Sequence, residues 1–89
     1  MNLESVPKLG RGCRLTQDNL QAWILLIPEG VLRLSGPGPQ ILQRCNGLST
    51  LGQIIEDLER SFPGVGAGQI ATETIEFLEK LAERRIVIE

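Results

Sequence analysis

Ala22-Trp23-Ile24-Leu25-Leu26-Ile27-Pro28-Glu29-Gly30-Val31-Leu32-Arg33-Leu34 is the stretch that decides the fold. Its first six residues are a nearly continuous apolar run of strand length, rich in β-formers. Pro28-Glu29-Gly30 breaks the run, and Val31-Leu32-Arg33-Leu34 resumes an alternation of period two. Two such runs joined by a short Pro/Gly link read as a β-hairpin. On its second strand Leu32 and Leu34 share one face and Val31 and Arg33 the other, which assigns Leu32 and Leu34 to the core. Upstream, Cys13-Arg14-Leu15-Thr16 alternates in the same way and Gln17-Asp18-Asn19 carries turn chemistry, so one more strand precedes the hairpin.

Downstream the period changes. Gly36-Pro37-Gly38-Pro39 is a boundary that no regular element tolerates, and Pro39 suits the first position of a short helix. Ile41, Leu42 and Cys45 form the buried face of that helix, with Asn46-Gly47 as its stop. Thr50 followed by Gln53 predicts a capping box. Behind it Leu51, Ile54, Ile55, Leu58 and Phe62 fall on one helical face, with Glu56, Asp57 and Glu59 opposite. Phe62-Pro63-Gly64 ends that helix and residues 64–68 form a glycine-rich connector. A third helix is predicted from about Gln69 to Arg85. Its apolar stripe is Ile70, Ala71, Thr74, Ile75, Phe77, Leu78, Leu81 and Ala82, opposite Glu73, Glu76, Lys80 and Glu83. Ile86-Val87-Ile88 is β-branched and is expected to pair briefly with a sheet edge. The expectation is an α+β fold in a single domain over residues 1–89. It has a three-stranded antiparallel sheet in a strand-rich part (12–35), then three helices in a helical part (39–85), and is winged-helix-like in composition.

Composition removes several functions. The 89 residues are 42% apolar and 22% charged, which is ordinary globular composition. The net charge of −2 excludes attraction to nucleic acid or anionic membrane by bulk charge. Residues 1–45 hold five basic and three acidic side chains, residues 46–89 four basic and eight acidic. No apolar run has the length to span a bilayer, and the first residues carry no secretory pattern. The default location is the cytoplasm. There is no histidine to activate a nucleophile, and Cys13 and Cys45 lack the spacing of a zinc or thioredoxin-like pair. They read as two buried thiols rather than a disulfide. No catalytic residue, metal ligand set or cofactor site is expected.

Two uses of such a fold remain. A winged helix would place the third helix in a DNA major groove, yet that helix presents Glu73, Glu76, Glu79 and Glu83 toward any phosphates. The other use is the sheet edge, whose free N–H and C=O groups are a template for an extended peptide. If Val31–Leu34 is that edge and the third helix runs beside it, the cleft is half backbone and half apolar side chain. Arg33, turned away from the core, would pair with an acidic residue of the guest.

The order and spacing of several short motifs resemble the PqqD family, small peptide-binding proteins of pyrroloquinoline quinone (PQQ) biosynthesis. They are Leu25-Leu26-Ile27-Pro28-Glu29-Gly30-Val31-Leu32-Arg33-Leu34, then Ile41-Leu42-Gln43-Arg44-Cys45-Asn46-Gly47, then Thr50-x-x-x-Ile54. Pro7-x-Leu9-x-Arg11-Gly12-x-Arg14-Leu15 upstream and Phe77-Leu78-x-x-Leu81 downstream also fit, so the resemblance covers nearly the whole chain. The chain departs from the family pattern at Asn46, where Asp is usual, and at Gly36-Pro37-Gly38-Pro39, where a polar and small segment is usual. The resemblance implies a leader-peptide recognition element that binds the PQQ precursor peptide. It would present that peptide to a radical S-adenosylmethionine enzyme, which cross-links a Glu and a Tyr in it. It implies strand contacts from Val31, Leu32, Arg33, Leu34 and Ser35, and a helix wall from Ile75, Leu78, Leu81 and Ala82. No nucleic acid or membrane partner is implied. The Gly36–Pro39 hinge adds the expectation of a swapped homodimer at high protein concentration.

Overall fold

Leu15, Leu25 and Leu32 form a cross-strand row on one face of a three-stranded antiparallel sheet, and Leu25 in the middle has no exposed surface. The computed structural model describes residues 1–66 and 68–89, so Ala67 of the expected connector lies outside the described residues. The sheet comprises β2 (Arg14–Gln17), β3 (Trp23–Ile27) and β4 (Gly30–Arg33), in that order. The expected alternation holds, with each strand shifted or trimmed by about a residue. Leu32 and Leu34 are half-buried against the core rather than sealed within it, because β4 is an edge strand with one neighbour. Arg14, Leu26 and Val31, and Thr16, Ile24 and Arg33, form rows on the opposite face.

Three helices close the core face: α1 (Gly38–Gln43), α2 (Leu51–Ser61) and α3 (Gln69–Glu83). The chain enters α1 one residue before Pro39, with Pro37 at the N-cap, and α1 ends at Gln43. Asn46 shapes the turn beyond it, its Oδ1 accepting from the N–H groups of Leu48 and Ser49. The Thr50/Gln53 capping box is present, its side chains bonding reciprocally at 3.1 and 2.8 Å. The N-terminal segment completes that cap. Leu51 N–H donates to Ser5 O at 2.7 Å and Gly52 N–H to Leu3 O at 3.0 Å. With Thr50 N–H on Gln53 Oε1 and Gln53 N–H on Thr50 Oγ1, all four donors that a helix start ordinarily leaves open are satisfied in α2. Arg44 ties α1 to α2, its Nε donating to the Asp57 carboxylate and its Nη1 to Gln40 O.

Two further strands, β1 (Lys8–Leu9) and β5 (Val87–Ile88), differ from the expectation for the C-terminus. Ile86-Val87-Ile88 does pair, but with β1 as a separate two-stranded ribbon rather than with the three-stranded sheet. Ile86 and Val87 are core residues, and the N-terminal segment pairs with the backbone at their place in the core. Gly10 makes the clasp. Its N–H donates to Ile86 O at 2.7 Å, and a Cβ there would collide with the Arg85 carbonyl oxygen.

Gly10→Ala therefore forces backbone apart and is expected to lower stability by about 2–3 kcal/mol. Gly64→Ala, where a Cβ meets nothing within 4 Å, should stay within about 0.5 kcal/mol of the parent. Urea unfolding midpoints of the two variants check this; equal midpoints would contradict the clasp.

Candidate functional site

The parity of antiparallel pairing decides what β4 offers. Ile24 pairs with Arg33, Leu25 with Leu32 and Leu26 with Val31, and Leu34 N–H donates to Trp23 O at 3.2 Å. Pairs that exchange bonds alternate with pairs that do not, so Leu32 and Leu34 bond inward to β3. Val31 and Arg33 then aim their N–H and C=O groups outward. Among the described residues no strand pairs with that outer side. The Ser35 carbonyl accepts from Gly38 N–H, which leaves its own N–H as its offer to the edge. The five expected strand residues thus divide by role: Val31 and Arg33 present backbone, while Leu32 and Leu34 present half-buried side chains behind it.

One flank of α3 stands beside this edge. A Cβ built on Gly38 would lie 3.3 Å from the Phe77 ring and 3.9 Å from Leu34 Cβ, so Phe77 packs over Gly38 next to the end of β4. Phe77 is half-buried, and by helical spacing it shares its flank with Glu73 and Lys80. Of the expected helix wall, Leu78 is 0% and Leu81 9% exposed; both are core beneath the cleft. Ala82 lies on the other flank, around a hollow shared with Met1, Val87 and Ile88. Ile75 shares that flank with Ala82 and with Glu79, whose carboxylate accepts from the Met1 ammonium at 3.3 Å. The flank of α3 beside β4 is thus that of Phe77, while Ile75 and Ala82 lie on the other flank. An apolar stripe wide enough to seat a helix does not say which flank turns to the sheet. The usable signal was Gly38, a residue without a side chain where a ring must fit.

Beyond Ser35 the cleft opens into a partly enclosed cavity of about 400 Å³ between α1, the end of α2 and the start of α3. Pro37, Ile41, Leu58, Phe62 and Ile70 give it apolar walls, and Glu73 is the one charged lining residue among the described residues. None of the residues assigned to the site from sequence lines it.

At the other side of β4 the β2–β3 turn is held by one carboxylate. Asp18 Oδ1 accepts from Leu20 N–H at 2.8 Å and Ala22 N–H at 3.0 Å, and Oδ2 takes the Arg33 guanidinium at 3.3 Å. Those backbone donors, and then Arg33, hold the Asp18 carboxyl below its ordinary 3.8. Arg33 is therefore parked on its own chain, yet its side chain is 80% exposed and within reach of a competing carboxylate. Neither thiol is primed as a nucleophile. Burial pushes Cys45 up to about 12, and burial followed by the Glu29 charge raises Cys13. Both cysteines are free. Among the described residues no group of three His, Cys, Asp or Glu is placed to hold a metal ion.

A small α+β domain with an open sheet edge, a helix-walled cleft and a cavity at its end is the class that the geometry defines. The family profile described as Coenzyme PQQ synthesis protein D (PqqD) matches residues 22–87. The chain is 35% identical over 85 residues to the PqqA binding protein of Xanthomonas axonopodis pv. citri, covering 94% of this chain and 91% of that one. It is 33% identical over 85 residues to the PqqA binding protein of Stutzerimonas stutzeri, covering 94% and 90%. Two solved structures match. The PqqD truncation of Methylobacterium extorquens PqqCD, described as a functional and stand-alone recognition element for ribosomally synthesized and post-translationally modified peptides, superposes with a TM-score of 0.81. It is 27% identical and covers 100% of this chain and 95% of its own. The crystal structure of PqqD from Xanthomonas campestris superposes with a TM-score of 0.58 at 33% identity, covering 97% and 96%. The chain belongs to the PqqD family.

Asp18 generates a pH test. A carboxyl whose pKa is depressed by folding stabilises the folded turn above its unfolded value, and that contribution is lost as pH falls through the folded value. Amide resonances of Leu20 and Ala22 should thus hold their positions near neutral pH and titrate on acidification with a midpoint below the ordinary 3.8. Movement near pH 6, or none on acidification before global unfolding, would contradict the Asp18 cage.

Proposed function

We propose that this chain binds a ribosomally made precursor peptide of the PqqA type by taking it as an added strand on β4. It then presents the peptide to a radical S-adenosylmethionine enzyme of the PQQ pathway, which cross-links a Glu and a Tyr. The observation that carries this reading is the outward-facing backbone of Val31 and Arg33 on an unpaired edge beside Phe77. The relatives' name, PqqA binding protein, supplies the guest.

The chain performs no bond chemistry in this reading; it holds and aligns. Residues 1–89 act as one peptide-recognition unit, with Val31, Leu32, Arg33, Leu34 and Ser35 contacting the guest. Leu78 and Leu81 support α3 from the core. Among the described residues no helix is long and apolar enough to cross a membrane; this reading sets the work in the cytoplasm. The DNA-binding alternative is disfavoured by the exposed Glu73, Glu76, Glu79 and Glu83 along α3.

Magnitudes say what the edge can deliver. Val31 and Arg33 offer four backbone groups, and at about 1 kcal/mol net each they give roughly 4 kcal/mol. That corresponds to binding near 1 mM before any ordering cost is subtracted. Useful affinity must therefore come from apolar contacts behind the strand, with Leu32, Leu34 and Phe77 in place for them.

Proline at an outward position removes a ladder donor, whereas alanine at Arg33 removes only an exposed charge. Val31→Pro and Arg33→Pro should each weaken a labelled PqqA-type peptide at least tenfold, and Arg33→Ala about twofold. Fluorescence polarisation reads this at low micromolar protein. Light scattering there should confirm a monomer, since exchange about residues 36–39 would pair two copies only at high concentration. Labelled duplex DNA at moderate salt should stay unbound. Equal losses for Pro and Ala in variants folded by circular dichroism would overturn strand addition.

A further inference from the structure

The ladder alone leaves affinity short, and the cleft continues past the last ladder group. Ser35 leads directly into Gly36 and Pro37, which line the 400 Å³ cavity. From Arg33 to Gly36 the chain advances three residues, at most about 11 Å. A guest running along β4 reaches the cavity within about three to five of its own residues.

We propose that this cavity is the anchor subsite of the same guest, accepting one bulky apolar side chain from a residue that follows or precedes the paired segment. The proposal rests on the strand-addition reading and adds what that reading lacks, a determinant of which peptide is chosen. Three observations carry it. The volume falls at the small end for ligand pockets, suited to one aromatic or large aliphatic side chain rather than a cofactor. Its walls are Ile41 and Leu58 at the base, with Phe62 and Val65 each 38% exposed toward the mouth, so an apolar guest covers apolar surface that now meets water.

The rim is the third observation. Gln40 has its Oε1 engaged by Arg44 Nη1 at 3.1 Å, so what it can give a guest is an amide N–H for a backbone carbonyl. Glu73, with one oxygen accepting from Gln69 Nε2 at 3.2 Å, has acceptor capacity left for a guest N–H. A peptide supplies both complements next to its side chain. Because Glu73 is the sole charged lining residue among the described residues, the subsite accepts neutral or cationic neighbours and rejects a carboxylate. Arg33, at the other part of the cleft, has the reverse preference. The two together give the guest a polarity: an acidic group belongs near β4, an apolar anchor near α1.

The test is a coupling experiment with a synthetic PqqA-type precursor peptide. Each bulky apolar residue of the peptide is replaced by Ala in turn, and the affinity of every version is measured for the parent, Phe62→Ala and Val65→Trp. Both protein positions lie at the surface, and circular dichroism checks the fold. One peptide residue should lose tenfold or more against the parent and less than threefold against either cavity variant, and Glu in its place should bind more weakly still than Ala. If every replacement costs the same in all three proteins while Arg33→Pro still abolishes binding, the cavity is not a subsite and strand addition stands. If Arg33→Pro is silent but the cavity variants are not, strand addition fails and the subsite as an extension of it fails too. If no apolar replacement weakens binding to the parent, the anchor proposal is overturned outright.

Discussion

A strand bonded on one side only is the constraint on which the rest depends. β4 spends the backbone groups of Leu32 and Leu34 on β3, and pairing parity then fixes Val31 and Arg33 outward. No side chain can change that assignment without slipping the register, and a slip would turn Leu32 away from Leu25 and the core. Burial of the Leu15–Leu25–Leu32 row thus sets which amides face outward. Core packing and the open edge are one geometric fact seen from two sides of a strand.

An open edge invites aggregation unless its surroundings control access. Here β2, the opposite edge, is flanked by α1, while β4 lies beside Phe77 of α3. The helices hold that cleft at a set width because each is pinned independently. The N-terminal segment and Thr50 cap α2, Arg44 joins α1 to α2, and the β1–β5 ribbon clasps the end of α3. Gly38 lets the Phe77 ring approach closely, at a distance where a methyl group would already crowd it. Arg33 is held at the edge by Asp18, which also fixes the neighbouring turn.

Much of this was legible because it is local. The hairpin, the capping box and the α3 stripe are written in periodicity and in single cap residues, and the sheet edge followed from the strand count, with the resemblance to the PqqD family favouring it over the DNA-binding use. The β1–β5 ribbon was not legible. Two-residue strands nearly eighty positions apart carry no periodic signal, and the close approach at Gly10 shows only in the structure. Which flank of α3 stands beside β4 was not legible for a related reason. Ile75, Leu78, Leu81 and Ala82 all belong to a stripe that seats the helix, and the sheet, α2 and the N-terminal segment divide that stripe among them. The cavity was invisible because its walls come from three helices and the segment before α1, none apolar enough alone to mark a pocket.

The most direct measurement is amide hydrogen exchange, residue by residue, with and without the precursor peptide at saturation. Added pairing on the outer edge of β4 slows exchange at Val31 and Arg33, while Leu32 and Leu34, already bonded to β3, change little. Bound peptide that leaves Val31 and Arg33 as fast as before, or that protects Leu15 and Gln17 on the β2 edge instead, would contradict the account.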